Sequence, residues 1–187
     1  MFIKLLTEDE VNFCLDKIDQ NTFKNGEDTA PDLEDIKSNK ESKGVPDEVR
    51  KLITDKLYDT HYIDSVYCPT RVSVNFYNKY LEGWSINLTD DYEGGEFTLA
   101  TPVGRIGKKL NAGEAVIFPI IYPHGVEKVT KGFRQNIVGW MSSNVSYEQS
   151  FILQNMYEVN AYLMQAQKDM FTKSTLVQTY LKKAWGM

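Results

Sequence analysis

The chain has 187 residues, 42% hydrophobic and 25% charged, the balance of an ordinary folded protein and not of a disordered one. Its 26 acidic residues outnumber 21 basic ones, and the net charge of −5 disfavours non-specific nucleic-acid binding. No apolar run approaches the roughly 18 residues of a membrane span, the first residues lack a signal peptide's apolar stretch, and two cysteines make no disulfide framework. A cytoplasmic setting with no membrane or nucleic-acid partner is therefore expected.

Residues 5–18 are predicted to form an amphipathic helix. Thr7 can cap it, Glu10 three residues on completes a capping box, and Val11, Cys14, Leu15 and Ile18 recur at helical spacing. Residues 21–43 are polar and broken by Asn-Gly and Ala-Pro, so they read as a long loop, either a functional lid or a solvated excursion. Residues 46–58 predict a second helix opened by Pro46, with Val49, Leu52, Ile53 and Leu57 in helical period. The character then changes. RVSVNFYNKY over 71–80 alternates like a strand, and short strands are expected at 85–88, 96–101, 104–110, 114–119, 125–129 and 135–141. Turn signals such as Glu-Gly-Gly, Asn-Ala-Gly and Thr-Lys-Gly separate them. Helical spacing returns over 147–167 and 172–184, where Tyr157, Tyr162, Met164 and Phe171 are expected to pack internally. Many short, evenly spaced strands indicate a mainly β fold, a jelly roll or barrel braced by helices at both ends. One domain is expected over 1–187, with N-terminal helices and loop at 1–68, the β core at 69–145 and C-terminal helices at 146–187.

Chemistry concentrates in Phe118-Pro-Ile-Ile-Tyr-Pro-His124-Gly-Val-Glu-Lys-Val-Thr130-Lys-Gly-Phe-Arg134. A Thr-Lys-Gly turn between two strands would bring His124 and Arg134 to one barrel mouth. An imidazole there suits a metal, and a guanidinium suits a carboxylate held by two parallel hydrogen bonds. Taken alone, such a pair is also what an ordinary surface carries. Read together, NFYNKYLEG, DDYEGGEF, LNAGEAVIFP and HGVEKVTKGFR resemble the prolyl-4-hydroxylase-like branch of the 2-oxoglutarate/Fe(II) dioxygenases, and among them the PKHD-type hydroxylases. The likeness is clearest over 69–143 and extends more weakly to Asn25-Gly-Glu-Asp-Thr-Ala, Ile36-Lys-Ser-Asn and the helical tail.

The resemblance implies a double-stranded β-helix and an oxidoreductase that takes O₂, Fe(II) and 2-oxoglutarate, with ascorbate in support. Such an enzyme hydroxylates an unactivated C–H bond of a peptidyl or small-molecule substrate and releases succinate and CO₂. It implies His124 as an iron ligand, Arg134 as partner of the far carboxylate of 2-oxoglutarate, and Tyr80 and Asn87 in the cosubstrate pocket. Ordinary barrel interior is the alternative for the last two.

One departure is plain. Relatives carry His-x-Asp on the strand after the one with NFYNKY, and this sequence has none. Of its two histidines, His61 precedes the barrel and stands three residues before Asp64, so it reads as helix end or surface. Either the iron site is lost, leaving a catalytically inactive jelly-roll binding module, or these 187 residues omit a segment. The family's first and third strands run parallel with one strand between, roughly twice the ~4.8 Å strand spacing apart. Gly83-Trp84-Ser85 cannot make that return. Omission predicts a chain break between Tyr80 and Ile86, near His124. A cupin-like binder of sugars or small acids would share the barrel.

Overall fold

Thr7 opens the first helix as its side chain allows. In the computed structural model, which describes residues 1–18, 23–25, 40–42, 44–73 and 81–186, its hydroxyl accepts the Glu10 N–H at 3.3 Å. The Glu10 carboxylate accepts the Thr7 N–H at 2.9 Å, so α1 (Glu8–Lys17) begins on a complete capping box. Helix α2 (Asp47–Asp59) follows Pro46, which stands at the N-cap itself, and buries Val49, Ile53 and Leu57 along one stripe. Lys56 reaches Glu10 at 2.7 Å and Lys17 reaches Glu48 at 2.9 Å across the seam between these helices. A third helix, α3 (His61–Tyr67), was not foreseen. It begins after the non-helical Thr60 and stops at Cys68, whose φ of 43° is left-handed.

The strands follow as β1 (Phe2–Lys4), β2 (Lys24–Asn25), β3 (Lys40–Glu41), β4 (Pro69–Ser73), β5 (Leu81–Asn87) and β6 (Tyr92–Gly94), then β7 (Phe97–Thr101), β8 (Gly104–Lys108), β9 (Glu114–Pro119), β10 (His124–Val126), β11 (Val129–Gly132) and β12 (Asn136–Ser143). Five of them form an antiparallel sheet in the order β1-β9-β5-β12-β4. Alternation sorts its two faces. Trp84, Ile86, Ala115, Ile117, Ile137 and Met141 join the helices in the main core. Ser85, Asn87, Val116, Phe118, Asn136 and Val138 take the opposite face. There a three-stranded sheet, β10-β7-β8, sets Phe97 and Leu99 against Val116 and Phe118 in a second core. Two antiparallel sheets face to face, with helices flanking them, make the mainly β jelly-roll core that the strand spacing predicts. The pairs β6–β11 and β2–β3 complete the described strands. The β2–β3 pair falls in the predicted 21–43 loop, most of which lies outside the described residues.

Strands β4 and β5 both run antiparallel to β12, and so parallel to each other with β12 between them. Ser73 and Gly83 both stand opposite Trp140. Strand β5 starts at Leu81, four residues before its predicted start, and runs unbroken through Gly83, Trp84 and Ser85. The chain break expected before Ile86 is therefore not found from Leu81 onward. Residues 74–80 lie outside the described residues, and with them most of the predicted strand 71–80.

Helices α4 (Tyr147–Ala166) and α5 (Lys168–Ala184) pack together and return to the body through α3, where Tyr157 meets Tyr62 edge-on at 4.6 Å. Tyr157 and Phe171 are half-buried. Tyr162 and Met164 are 71% and 60% exposed, against the expectation of internal packing. The reason is that α4 anchors through Leu153 and Tyr157, leaving its other faces outside. No described helix is long and apolar enough to cross a membrane.

Candidate functional site

Cross-strand register stacks the inward face of the large sheet in rows. Phe118, Gly83 and Trp140 form one row, Val116, Ser85 and Val138 the next, and Asn87 with Asn136 the third. A Cβ on Gly83 would lie 2.8 Å from the Phe118 ring, so glycine makes room for that aromatic. Phe118 in turn supports His124, with ring centroids 4.5 Å apart, and Phe97 lies 6.4 Å away on a stacked plane. His124 opens β10, an end strand of its sheet, and is exposed. Its Nδ1 lies 2.9 Å from the Tyr122 carbonyl. A carbonyl only accepts, so Nδ1 carries the proton and Nε2 presents a lone pair, the form in which histidine ligates a metal.

Arg134 comes in beside the third row, from the link between β11 and β12. Its Nη1 donates to Asn136 Oδ1 at 3.2 Å, and Asn136 Nδ2 donates to Ser85 Oγ at 3.1 Å. Its Nε and Nη2 are buried with no hydrogen-bond partner among the described residues. Those two nitrogens form the side-on fork of a guanidinium, the pair that grips a carboxylate bidentately. Burial pushes the guanidinium below its ordinary value, while the neighbouring Tyr92 favours the charged form. Asn87 is fully buried and its Nδ2 faces Thr89 O, Tyr92 OH and Leu110 O at 2.6, 3.0 and 2.9 Å, leaving Oδ1 without a partner.

The predicted hairpin between His124 and Arg134 does not form. Thr130-Lys131-Gly132 lies within β11, and β10, β11 and β12 belong to three different sheets. Strand β11 is drawn away by pairing with β6, so His124 comes over the first row from β10 and Arg134 reaches the third from the link before β12. Tyr80 lies outside the described residues. His61 is the exposed first residue of α3, with its ring 5.7 Å from Tyr157, as a helix-end residue would be. The sequence reading missed Tyr92. Its signal is the Glu-Gly-Gly that follows, because Gly94 (φ +71°) lets the Lys128 carbonyl approach where a Cβ would lie 2.2 Å from it. No trio of His, Cys, Asp or Glu among the described residues could hold a metal. His124 and the distant His61 are the sequence's only histidines, so the residues present supply one ligand of a two-histidine, one-carboxylate iron site and do not fit the ion.

No protein-family model matches the chain. A PKHD-type hydroxylase of Prochlorococcus marinus strain MIT 9301 is 30% identical over 171 residues, taking in 76% of this chain and 77% of that protein. One from Idiomarina loihiensis is 27% identical over 161 residues, with 73% and 74% coverage. A solved prolyl-4-hydroxylase of Pseudomonas putida aligns with a TM-score of 0.47 at 16% identity, covering 76% of this chain and 91% of that one. Two facing antiparallel sheets with flanking helices define a jelly-roll class of fold, and the likeness to these hydroxylases sets the chain among the 2-oxoglutarate/Fe(II) oxygenases. Within that class, the chain belongs to the PKHD-type hydroxylase family.

Proposed function

We propose that these 187 residues form one dioxygenase-like domain of a 2-oxoglutarate- and Fe(II)-dependent hydroxylase acting on a peptidyl or small-molecule C–H bond. The observation that carries the reading is the buried, unpaired fork of Arg134 on the inward face that also bears Asn87 and meets His124. A five-carbon keto diacid answers it: its far carboxylate satisfies Nε and Nη2 together. When bound, 2-oxoglutarate supplies the two electrons for oxygen chemistry as it becomes succinate and CO₂. Arg134 holds and orients it, Asn87 and Tyr80 line the pocket, and the apolar Phe97 and Phe118 keep one side of His124 dry. O₂ is the second substrate, and ascorbate supports turnover.

The full ligand set requires a segment beyond these residues, entering between Tyr80 and Leu81. Parallel strands ordinarily need a crossover of about a dozen residues or more, and seven separate β4 from β5 in the described numbering. The alignment with the Idiomarina protein runs over 161 positions but takes in 73% of 187 residues, about 137. About 24 positions thus have no counterpart here, room for a strand and its loop. A second reading, a barrel that binds 2-oxoglutarate or a peptide without turnover, is favoured by the unbroken β5 and the single histidine ligand. Succinate formation by the intact polypeptide with iron, ascorbate and 2-oxoglutarate separates them. Turnover above the His124→Ala background supports the hydroxylase, and none, coupled or uncoupled, leaves the binding module.

A further inference from the structure

Helix α5 buries no residue, and α4 buries only Ser150, Leu153 and Asn160. The two fold back on each other at Gln167, and Asn160 Nδ2 donates to Gln178 Oε1 at 2.9 Å, so positions 160 and 178 stand level. Toward the body α4 turns Leu153 and Tyr157. Its opposite side carries a second apolar stripe, Ile152, Val159 and Tyr162, with Asn155 completing steps of three and four residues. Helix α5 repeats the pattern with Met170, Val177 and Tyr180 around Lys173. All six apolar residues are between 43% and 71% exposed.

At 3.6 residues per turn, each stripe lies about a third of a turn round from Asn160 or Gln178, where the helices join. The helices run in opposite directions, so both stripes come to one side of the pair, away from α3. The 17 residues of α5 span about 25 Å and the two helices about 20 Å, so two such faces together cover roughly 1,000 Å² in flat projection, the size expected of a specific interface. Charge chooses the occupant. Helix α4 has Glu148 and Glu158 and no basic residue, whereas α5 has four lysines against Asp169. A helix that lies on lipid needs lysine or arginine on its polar face, and α4 has none. A second copy of the chain offers the complement of each half.

We propose that this face docks a second copy of the chain about a two-fold axis parallel to the helices, so that α4 lies on α5 of the partner subunit in an antiparallel four-helix bundle. Such an axis keeps every residue at its level. Val159 then faces Tyr180 of the partner subunit, Tyr162 faces the partner's Val177, and Glu158 on the flank comes beside Lys183 of the partner subunit. An axis across the helices would instead set α4 on α4 and α5 on α5, acid on acid and lysine on lysine.

Sedimentation equilibrium of the intact polypeptide over a concentration series should give twice the mass of one chain. Val159→Glu, at a half-exposed position, should leave the circular dichroism unchanged and weaken association about tenfold or more. Glu158→Lys and Lys183→Glu should each weaken it about tenfold, because the pair occurs twice in a two-fold dimer and like charges then meet. The double exchange should restore it, and both positions are exposed, so this arm decides the matter even where Val159→Glu misfolds. A chain that is monomeric at every concentration, including one that binds anionic vesicles instead, would overturn the proposal. A dimer indifferent to Val159→Glu would do the same. Single exchanges without effect, or without mutual rescue, would overturn the pairing of α4 with α5.

Discussion

Arg134 is the side chain whose removal has the most specific consequence. Arg134→Ala deletes both buried donors of the fork and should cost roughly 2–5 kcal/mol of 2-oxoglutarate binding, since the ligand's carboxylate is left desolvated and unpaired. Arg134→Lys should recover part of it, a point charge without the fork, and calorimetry reads both; unchanged affinity in the alanine variant would remove the assignment. Gly83→Ala acts differently. Its Cβ would press within 2.8 Å of Phe118 and 3.0 Å of Ile120, and overpacking of this kind costs about 1–3 kcal/mol. A lowered urea midpoint with an unchanged slope is the expected result. At this scale His124 and Arg134 were marked out by a motif that is local in sequence. Tyr92 was not, because its importance comes from Asn87, Leu110 and Lys109, which only folding brings around it.

Elements were legible where a local rule decides them. The Thr7–Glu10 box and the spacing of Val49, Ile53 and Leu57 set α1 to within three residues and α2 to within one, and β9 lies where its apolar run put it. The short elements were not, since β1 exists only by pairing with β9 and β6 only by pairing with β11. Two experiments address α1. Thr7→Ala removes the cap and should cost about 1 kcal/mol, read as a lower denaturation midpoint. The Glu10 carboxyl sits below the usual carboxylate range, first through its hydrogen bond to Lys56 and then through the Thr7 N–H. A group depressed by folding stabilises above its unfolded value, and that contribution disappears as pH falls through the folded one. Stability should therefore decline below about pH 4.5, and Glu10→Gln should flatten that acid limb while lowering stability at neutral pH. An acid limb identical in the two proteins would remove Glu10 from the account.

At the scale of the molecule, the jelly-roll class followed from the number and spacing of strands, whereas the order of strands around the site depends on pairings between distant residues. The large sheet ends at β1 and β4, and the smaller one ends at β8 and at β10, the strand that opens with His124. An end strand whose three residues are all exposed offers its N–H and C=O groups to another strand. In the hydroxylase reading, that neighbour carries the two remaining ligands and enters between Tyr80 and Leu81. Metal affinity then discriminates sharply, because one neutral imidazole does not retain an ion that normally takes two histidines and a carboxylate. The 187-residue chain, purified as it stands, should contain far less than one iron per molecule and should form no succinate. The polypeptide isolated from its source should exceed 21.5 kDa by the mass of a strand and its loop, bind iron stoichiometrically, and lose it in His124→Ala. Metal analysis of both proteins, together with intact-mass measurement, checks each step. An intact mass of 21.5 kDa with 2-oxoglutarate bound and no iron would make the chain a cosubstrate-binding barrel without turnover.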